Sequence, residues 1–524
     1  MQLSDPSRGA YLTWKSNSWI NHFRGLRRDA LRRPGQMMAI FLTCLLIYTI
    51  TWSGHHYSID GVVMFQYAKA ILFDHSLVMD PPVRWGIDFT VGKWPIGLSL
   101  FYTPILAILS WTIFRNDDAI EKIPFDPELP YNPVLMENRP YLYSSVLNPI
   151  ITAFSAVILY LLCLRLGFSQ KKAAAVALVF ALASPAAAYA KFDFAQPLAS
   201  LFLLLTLLFL LRARRNGFLY LVVAGLSFGI AILARPELLI LAPILFVAVF
   251  FLRSQSGAKP NPIFTHQIKN LLGFGLPVIV FFLINQYINY LRFGTWFNMG
   301  YNPGSGFSLN PKSISTALIG NLISPGRGIL LFFPLSILSW IGLRKLFLTD
   351  HWLAWELTVF IFGSLLLYSA WKDWGAGISW GPRFFIPIFP YLTLLAFFGF
   401  DTLNKYPKLI RFTLFGILLF VGGLIALNGL LFNFLGFYGA FDFPQQVIDQ
   451  GDYNFLPQYS PILAGWENFT ISGSYDIYWL QNNNIQTSTG WTLIMIFIGL
   501  IALGYTLKLW LFYFFIGKPS ARAN

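Results

Sequence analysis

Stretches of about twenty apolar residues, separated by short polar turns, recur along this 524-residue chain. A run of that length matches the hydrocarbon thickness of a bilayer, which an α-helix crosses at roughly 1.5 Å per residue. Inside lipid every backbone polar group needs a partner within its own segment, and only helices supply this over runs so long. We read spanning helices at 37–53, 145–164, 173–190, 195–211, 218–234, 238–252, 271–291, 328–343, 352–370, 384–400, 411–430 and 491–516. The pattern predicts an all-α polytopic membrane protein with about twelve transmembrane helices. Charged residues make up 11% of the chain, against roughly 25% in a soluble domain. A soluble enzyme is therefore excluded. The long aperiodic apolar runs exclude disordered and collagen-like chains as well.

The net charge of +14 reports orientation, and no nucleic-acid partner is expected. Segments 1–36, 165–172, 212–217, 253–270, 344–350, 401–411 and the C-terminal tail hold most of the Lys and Arg and few of the Asp and Glu. The positive-inside rule places them, with both termini, in the cytoplasm of a plasma (inner) membrane protein. One further apolar run, 94–114, then cannot cross, because crossing would carry Arg212, Arg214 and Arg215 outside. Pro95 and Pro104 interrupt it, so it reads as re-entrant or surface-lying. The long segments 54–144, 292–327 and 431–490 all fall outside. An active site is expected there, since the inner loops are too short to build one. The chain divides into a basic cytoplasmic tail (1–36), a transmembrane catalytic module (37–430), an outer segment (431–490) and a last helix with its tail (491–524).

The outer segments supply the candidates. Asp60 opens a helical stretch, where a carboxylate either caps the helix or stands as a base at the water–lipid boundary. The apolar residues after it (Val62, Val63, Phe65, Ile71, Leu72) predict a helix lying flat on the membrane surface. Arg84, Asp88 and Lys93 follow; the cations suit either interfacial anchoring or contact with an anion. Lys191 and Asp193 occupy a very short outer turn, either solvated or facing a shared cavity. Arg235 and Glu237 read as a structural ion pair. Arg327 sits between Gly326 and Gly328, and Arg383 ends a run holding Trp371, Trp374, Trp380 and several glycines. Aromatic surfaces beside a phosphate-pairing guanidinium suit a sugar phosphate. The six histidines show no metal-ligand spacing, and no P-loop or nucleophile elbow is present.

These residues, in this order, resemble a family. The chain is similar to GT-C-type membrane glycosyltransferases, in the group of protein O-mannosyltransferases and lipid A aminoarabinose transferases. An acid followed eight positions later by a small residue reads here as Asp60 and Ala68, then Ile71-Leu72. A Lys-Pro element reads as Lys93-Trp94-Pro95 with one inserted residue, and the Asp after the third helix resembles Asp193. Arg235-Pro236, Ser324-Pro325-Gly326-Arg327-Gly328 and Gly381-Pro382-Arg383 resemble further family elements. Two positions depart from the pattern: Gly61 stands where a second acid is common, and Gly92 where some members carry a metal-binding Glu. No cofactor follows, although a divalent metal is compatible with the family.

The resemblance implies a polyprenyl-phosphate-linked sugar as donor, with its lipid tail in the bilayer, and a protein, lipid or glycan hydroxyl as acceptor. Asp60 would be the general base of an inverting transfer, and Lys93, Arg327 and Arg383 would hold the donor phosphate. Asp88, Asp193, Trp380 and Arg84 would contact acceptor or sugar. The rivals are a flippase of lipid-linked sugars and a ligase or polymerase acting on lipid-linked glycans. The threading itself is open to test. A Phe125→Cys variant should react with a membrane-impermeant thiol reagent on intact cells; labelling only after lysis would overturn it.

Overall fold

The computed structural model describes residues 34–79, 83–85, 87–112, 144–252, 263–301, 306–377, 379–434, 452–463, 465–466, 475–481 and 503–511. The helices are α1 (Pro34–Ile50), α2 (Ile59–Lys69), α3 (Gly97–Thr112), α4 (Leu147–Arg165), α5 (Gln170–Ala183), α6 (Ala186–Tyr189), α7 (Gln196–Asn216), α8 (Phe218–Ala234), α9 (Ala242–Phe250) and α10 (Ile263–Phe293). They continue as α11 (Pro311–Ile323), α12 (Ile329–Phe332), α13 (Ile337–Thr349), α14 (His351–Ser369), α15 (Phe389–Thr402), α16 (Lys408–Leu431) and α17 (Tyr478–Gln481). A small antiparallel hairpin, β1 (Val83–Trp85) with β2 (Ile87–Phe89), sets Arg84 opposite Asp88. The side chains of these two residues, named above as site candidates, lie outside the described residues.

The all-α membrane architecture holds. Among the described residues, six helical segments are long and apolar enough to cross a bilayer, in α4, α7, α10, α14, the 383–405 stretch and α16. Several runs read as single helices are broken. Pro185 separates α5 from α6. Pro236 opens a 3-10 turn before α9, Pro334 a second one before α13, and Pro387 lies in a third before α15. Proline removes a backbone donor and clashes with the preceding turn, so it ends a helix where neighbouring groups can satisfy the freed carbonyls. Most of the predicted 491–516 span lies outside the described residues.

The apolar residues of α2 pack against protein: Val62, Val63, Phe65, Tyr67 and Ala68 are all buried. Helix α3 covers one side of α2 through the Phe65–Tyr102 ring contact at 5.8 Å. At 16 residues, α3 is shorter than the roughly 20 needed to span. Elsewhere small residues set the packing. A Cβ on Gly342 would overlap the Leu395 carbonyl, and one on Gly399 the Leu338 carbonyl. Helices α13 and α15 thus touch at backbone distance, as membrane helices do where lipid supplies no hydrophobic drive.

Ion pairs gather at the two ends of the bundle. Arg214 meets Asp350 at 2.7 Å and Lys345 meets Asp401 at 3.6 Å, all on segments read as inner. Asp60, Lys191, Asp193, Arg235 and Arg383, all read as outer, meet partners at the other end. Helix α7 connects the ends: it starts beside Arg235 and carries Arg214 some 18 residues on, about 27 Å along the axis.

Candidate active site

Asp60 is the second residue of α2, and it is not the cap. Ser58 is, accepting from the Gly61 backbone amide at 3.1 Å. The capping alternative for Asp60 therefore falls, and its carboxylate is left to face a cavity, where it pairs with the Arg383 guanidinium. The strand-like approach to α2 is held from below by Asp193. This carboxylate accepts from His56 Nδ1 at 2.8 Å, from the Tyr57 amide at 3.2 Å and from Ser58 Oγ at 3.2 Å. A Cβ on Gly61 would fall onto the Asp193 carboxylate. Gly61 thus makes room for an acid from the α6–α7 turn.

Arg383 stands at the end of a tight turn. Ala376, Gly377 and Gly381 all adopt left-handed backbone (φ 60°, 58° and 58°), which glycine enters at no steric cost and alanine rarely does. Arg327 braces this turn. It is 1% exposed, and its guanidinium donates to the carbonyls of Ser379, Gly381 (2.9 Å) and Gly377 (2.6 Å). It does not line the cavity, so its expected phosphate contact is corrected: Arg327 shapes the loop that presents Arg383. Trp380 is likewise buried outside the cavity, edge-on to Phe332 at 5.1 Å. It packs the turn and does not stack on a ligand. Asp193 also lies beneath the cavity wall and not on it.

The cavity has a volume of about 740 Å³, within the range of small-molecule sites. Among the described residues its charged lining consists of Asp60, Glu237 and Asp373 against Lys93, Arg235, Arg292 and Arg383. Arg235 pairs with Glu237 as expected, but both also face the cavity. With its amide turned to suit its neighbours, Gln196 accepts from Arg235 Nη1 at 2.7 Å and Arg383 Nε at 3.1 Å. Arg383 also lies over the Phe194 ring at 3.9 Å. Lys93 reaches in from the loop before α3, 5.2 Å from the Tyr301 ring. The rest of the lining is largely apolar, including Leu239, Ile240, Met299, Leu367 and Phe384. Among the described residues no cluster of three or more His, Cys, Asp or Glu is placed to hold a metal. At Gly92, Val63 and Trp94 fill the space a side chain would take.

Sequence reasoning missed a second charged cluster beside the cavity. Asp476, from the late outer segment, is 1% exposed. It accepts from His55 Nε2 at 2.7 Å, from Lys191 Nζ at 2.9 Å and from the Tyr57 hydroxyl. Lys191 also donates to the Leu430 carbonyl at 2.8 Å. The turn at 191–193 is therefore buried, and its solvated reading is corrected. Burial pushes the Asp476 carboxyl up, but Lys191, His55 and Tyr57 overcome it and hold the group well below the usual carboxylate range. Burial lowers the His55 pKa, and Asp476 more than reverses this, leaving it raised. For His56 burial wins over Asp193, so its pKa is lowered. Consecutive histidines thus carry opposite shifts. Arg292, also unnoticed, lines the cavity from the end of α10. No sequence spacing links residues 55, 191 and 476; only the fold does.

Residues 144–285, from α4 into α10, match the profile of the family described as dolichyl-phosphate-mannose-protein mannosyltransferase. The resemblance to GT-C-type polytopic membrane glycosyltransferases is shown over this segment, which contains Asp193 and Arg235. Among solved structures, ArnT from Cupriavidus metallidurans in the apo state aligns with a TM-score of 0.48 at 12% identity, covering 87% of this chain and 76% of that one. The same protein bound to undecaprenyl phosphate aligns with a TM-score of 0.45 at 13% identity, covering 83% and 75%. No curated protein sequence matches.

The Asp476 cluster predicts a specific stability pattern. Asp476→Ala strands Lys191 and His55 in a buried site and should cost about 3–5 kcal/mol. Lys191→Met combined with Asp476→Leu should recover most of that loss, read by chemical unfolding in detergent. The pH dependence has a defined sign. A depressed folded-state pKa stabilises above the unfolded carboxylate value of about 4 and loses that contribution on further acidification.

Proposed function

We propose that this protein transfers a sugar from a polyprenyl-phosphate-linked donor to an acceptor hydroxyl, at the extracytoplasmic face of the membrane and with inversion. One observation carries the reading: the Asp60 carboxylate, ion-paired with Arg383 on the wall of a largely apolar cavity whose charged lining, among the described residues, holds more cations than carboxylates. The charge balance of the lining supports a monophosphate. Among the described residues, four cations against three carboxylates leave one positive charge, suited to a phosphodiester and short of what a diphosphate linkage needs. This favours transfer from a monophosphate carrier over a ligase or polymerase using lipid diphosphates. The apolar lining suits the first isoprene units, with the rest of the chain in lipid.

The chemistry then follows from competition for Arg383. A bound donor phosphodiester offers the guanidinium a second anion, joined by Lys93. As Arg383 turns toward phosphate, the Asp60 carboxylate leaves its ion pair and is free to accept a hydrogen bond from the acceptor hydroxyl. It takes the proton from the acceptor hydroxyl as that oxygen attacks the anomeric carbon. The bond from the anomeric carbon to the phosphate oxygen breaks, and polyprenyl phosphate leaves with the electron pair. Lys93 and Arg383 stabilise the added charge in a poorly hydrated site. No nucleotide enters the reaction.

Asp60→Asn should keep the fold and lose transfer from polyprenyl-phosphate donors by about 10²-fold or more; normal turnover of that variant sinks the assignment. Arg383→Ala should weaken binding of undecaprenyl phosphate about tenfold or more with a much smaller change in melting temperature. Proportionate loss of both would return Arg383 to a packing role.

A further inference from the structure

We infer that Arg292 is a positioning residue: it clamps the backbone on both sides of Lys93 and so aims the ammonium group at the donor phosphate. The inference rests on the phosphate role of Lys93 proposed above. Lys93 belongs to the irregular segment between β2 and α3. A lysine on such a segment has a flexible four-carbon stem and gives up much rotamer freedom when held. Unless its Cα is fixed, the ammonium has no defined reach.

Three elements fix it. Arg292 Nη1, at the end of α10, donates to the Trp94 carbonyl at 2.7 Å and the Gly92 carbonyl at 3.3 Å, the carbonyls of the residues before and after Lys93. From α2 the Tyr67 hydroxyl meets both the Gly92 amide (2.7 Å) and the Gly92 carbonyl (3.0 Å). Gly300 closes the other side so tightly that a Cβ there would stand 3.1 Å from Lys93 Cα. Arg292 is itself held, its Nη2 donating to Asn289 Oδ1 at 2.9 Å, while Asn289 donates to Gln286 at 3.4 Å one turn earlier. A planar guanidinium can bridge two carbonyls while fixed by a third partner; an ammonium cannot hold that geometry. With these donors engaged by protein oxygens, Arg292 serves the anion through Lys93.

A double-mutant cycle on the full-length protein in detergent tests this. The probe is undecaprenyl phosphate, its binding read by fluorescence of the cavity tryptophans, Trp94 and Trp371. Lys93→Ala should weaken binding about tenfold, the loss of one charged hydrogen bond. Arg292→Gln should do nearly the same, and the double variant should be no weaker than Lys93→Ala alone, because coupled residues are not additive. Arg292→Gln should also lose the same part of the salt dependence of binding as Lys93→Ala, since exposed charge contacts are screened. A merely structural role would lower affinity and leave the salt dependence intact. Arg292→Lys, a milder change that keeps the charge, should retain part of the affinity. Two separate losses that multiply in the double variant would mean Arg292 contacts phosphate itself, and overturn the clamp. Normal binding by Arg292→Gln beside an impaired Lys93→Ala would overturn it too. Normal binding by Lys93→Ala would remove the phosphate role of Lys93, and the clamp with it.

Discussion

Charge at the edge of hydrocarbon survives only in company, and that constraint organises the functional end of this protein. An isolated carboxylate or ammonium taken out of water costs several kcal/mol, so every such group must find an opposite charge or a set of donors. Asp60 finds Arg383, Arg235 finds Glu237, and Asp476 finds His55 and Lys191. Each pair joins segments far apart in the chain or fixes a tight turn. The pairs therefore do two things at once: they make a charged site tolerable beside lipid, and they tie the outer segments into a single rim.

Within that rim the groups divide by what they touch. Asp60, Lys93 and Arg383 face open space, whereas Asp193, Arg327 and Asp476 face backbone and other side chains. The second set builds the first. Asp193 fixes Tyr57 and Ser58, and Ser58 caps the helix that begins at Ile59, so the direction of Asp60 is decided one layer beneath it. Arg327 threads three carbonyls of the 377–381 turn, and Arg383 emerges where that turn ends. A carboxylate and a cation arrive opposite each other because two buried charged groups hold their backbones.

The same logic explains where reading by residue type was misleading. Arg327 between two glycines and Trp380 in a Gly-rich turn have the composition of a ligand site, and both turn inward. Composition cannot tell a guanidinium that meets a phosphate from one that meets carbonyls, since both present anionic or partly negative oxygens. Asp60, Lys93 and Arg383 were legible because a charged residue beside an apolar run on the outer side has few destinations. Arg292 lay hidden at the end of a long apolar helix, where a single cation reads as an interfacial anchor.

What the sequence determined on its own is the helical, membrane-embedded class, and it predicts a grouping of segments by side. Both follow from local quantities: apolar run length against bilayer thickness, and the uneven spread of Lys and Arg. The breaks at Pro185, Pro236, Pro334 and Pro387 were legible as residues and not as consequences, because whether a proline ends a helix depends on what can satisfy the freed carbonyls. Only the tertiary structure decided the site. The Asp193 carboxylate standing in for a side chain at Gly61, and Asp476 closing on residues more than 280 positions away, depend on contacts that cross the whole chain. No window of sequence contains them, since charge pairing acts through space and is indifferent to separation along the backbone.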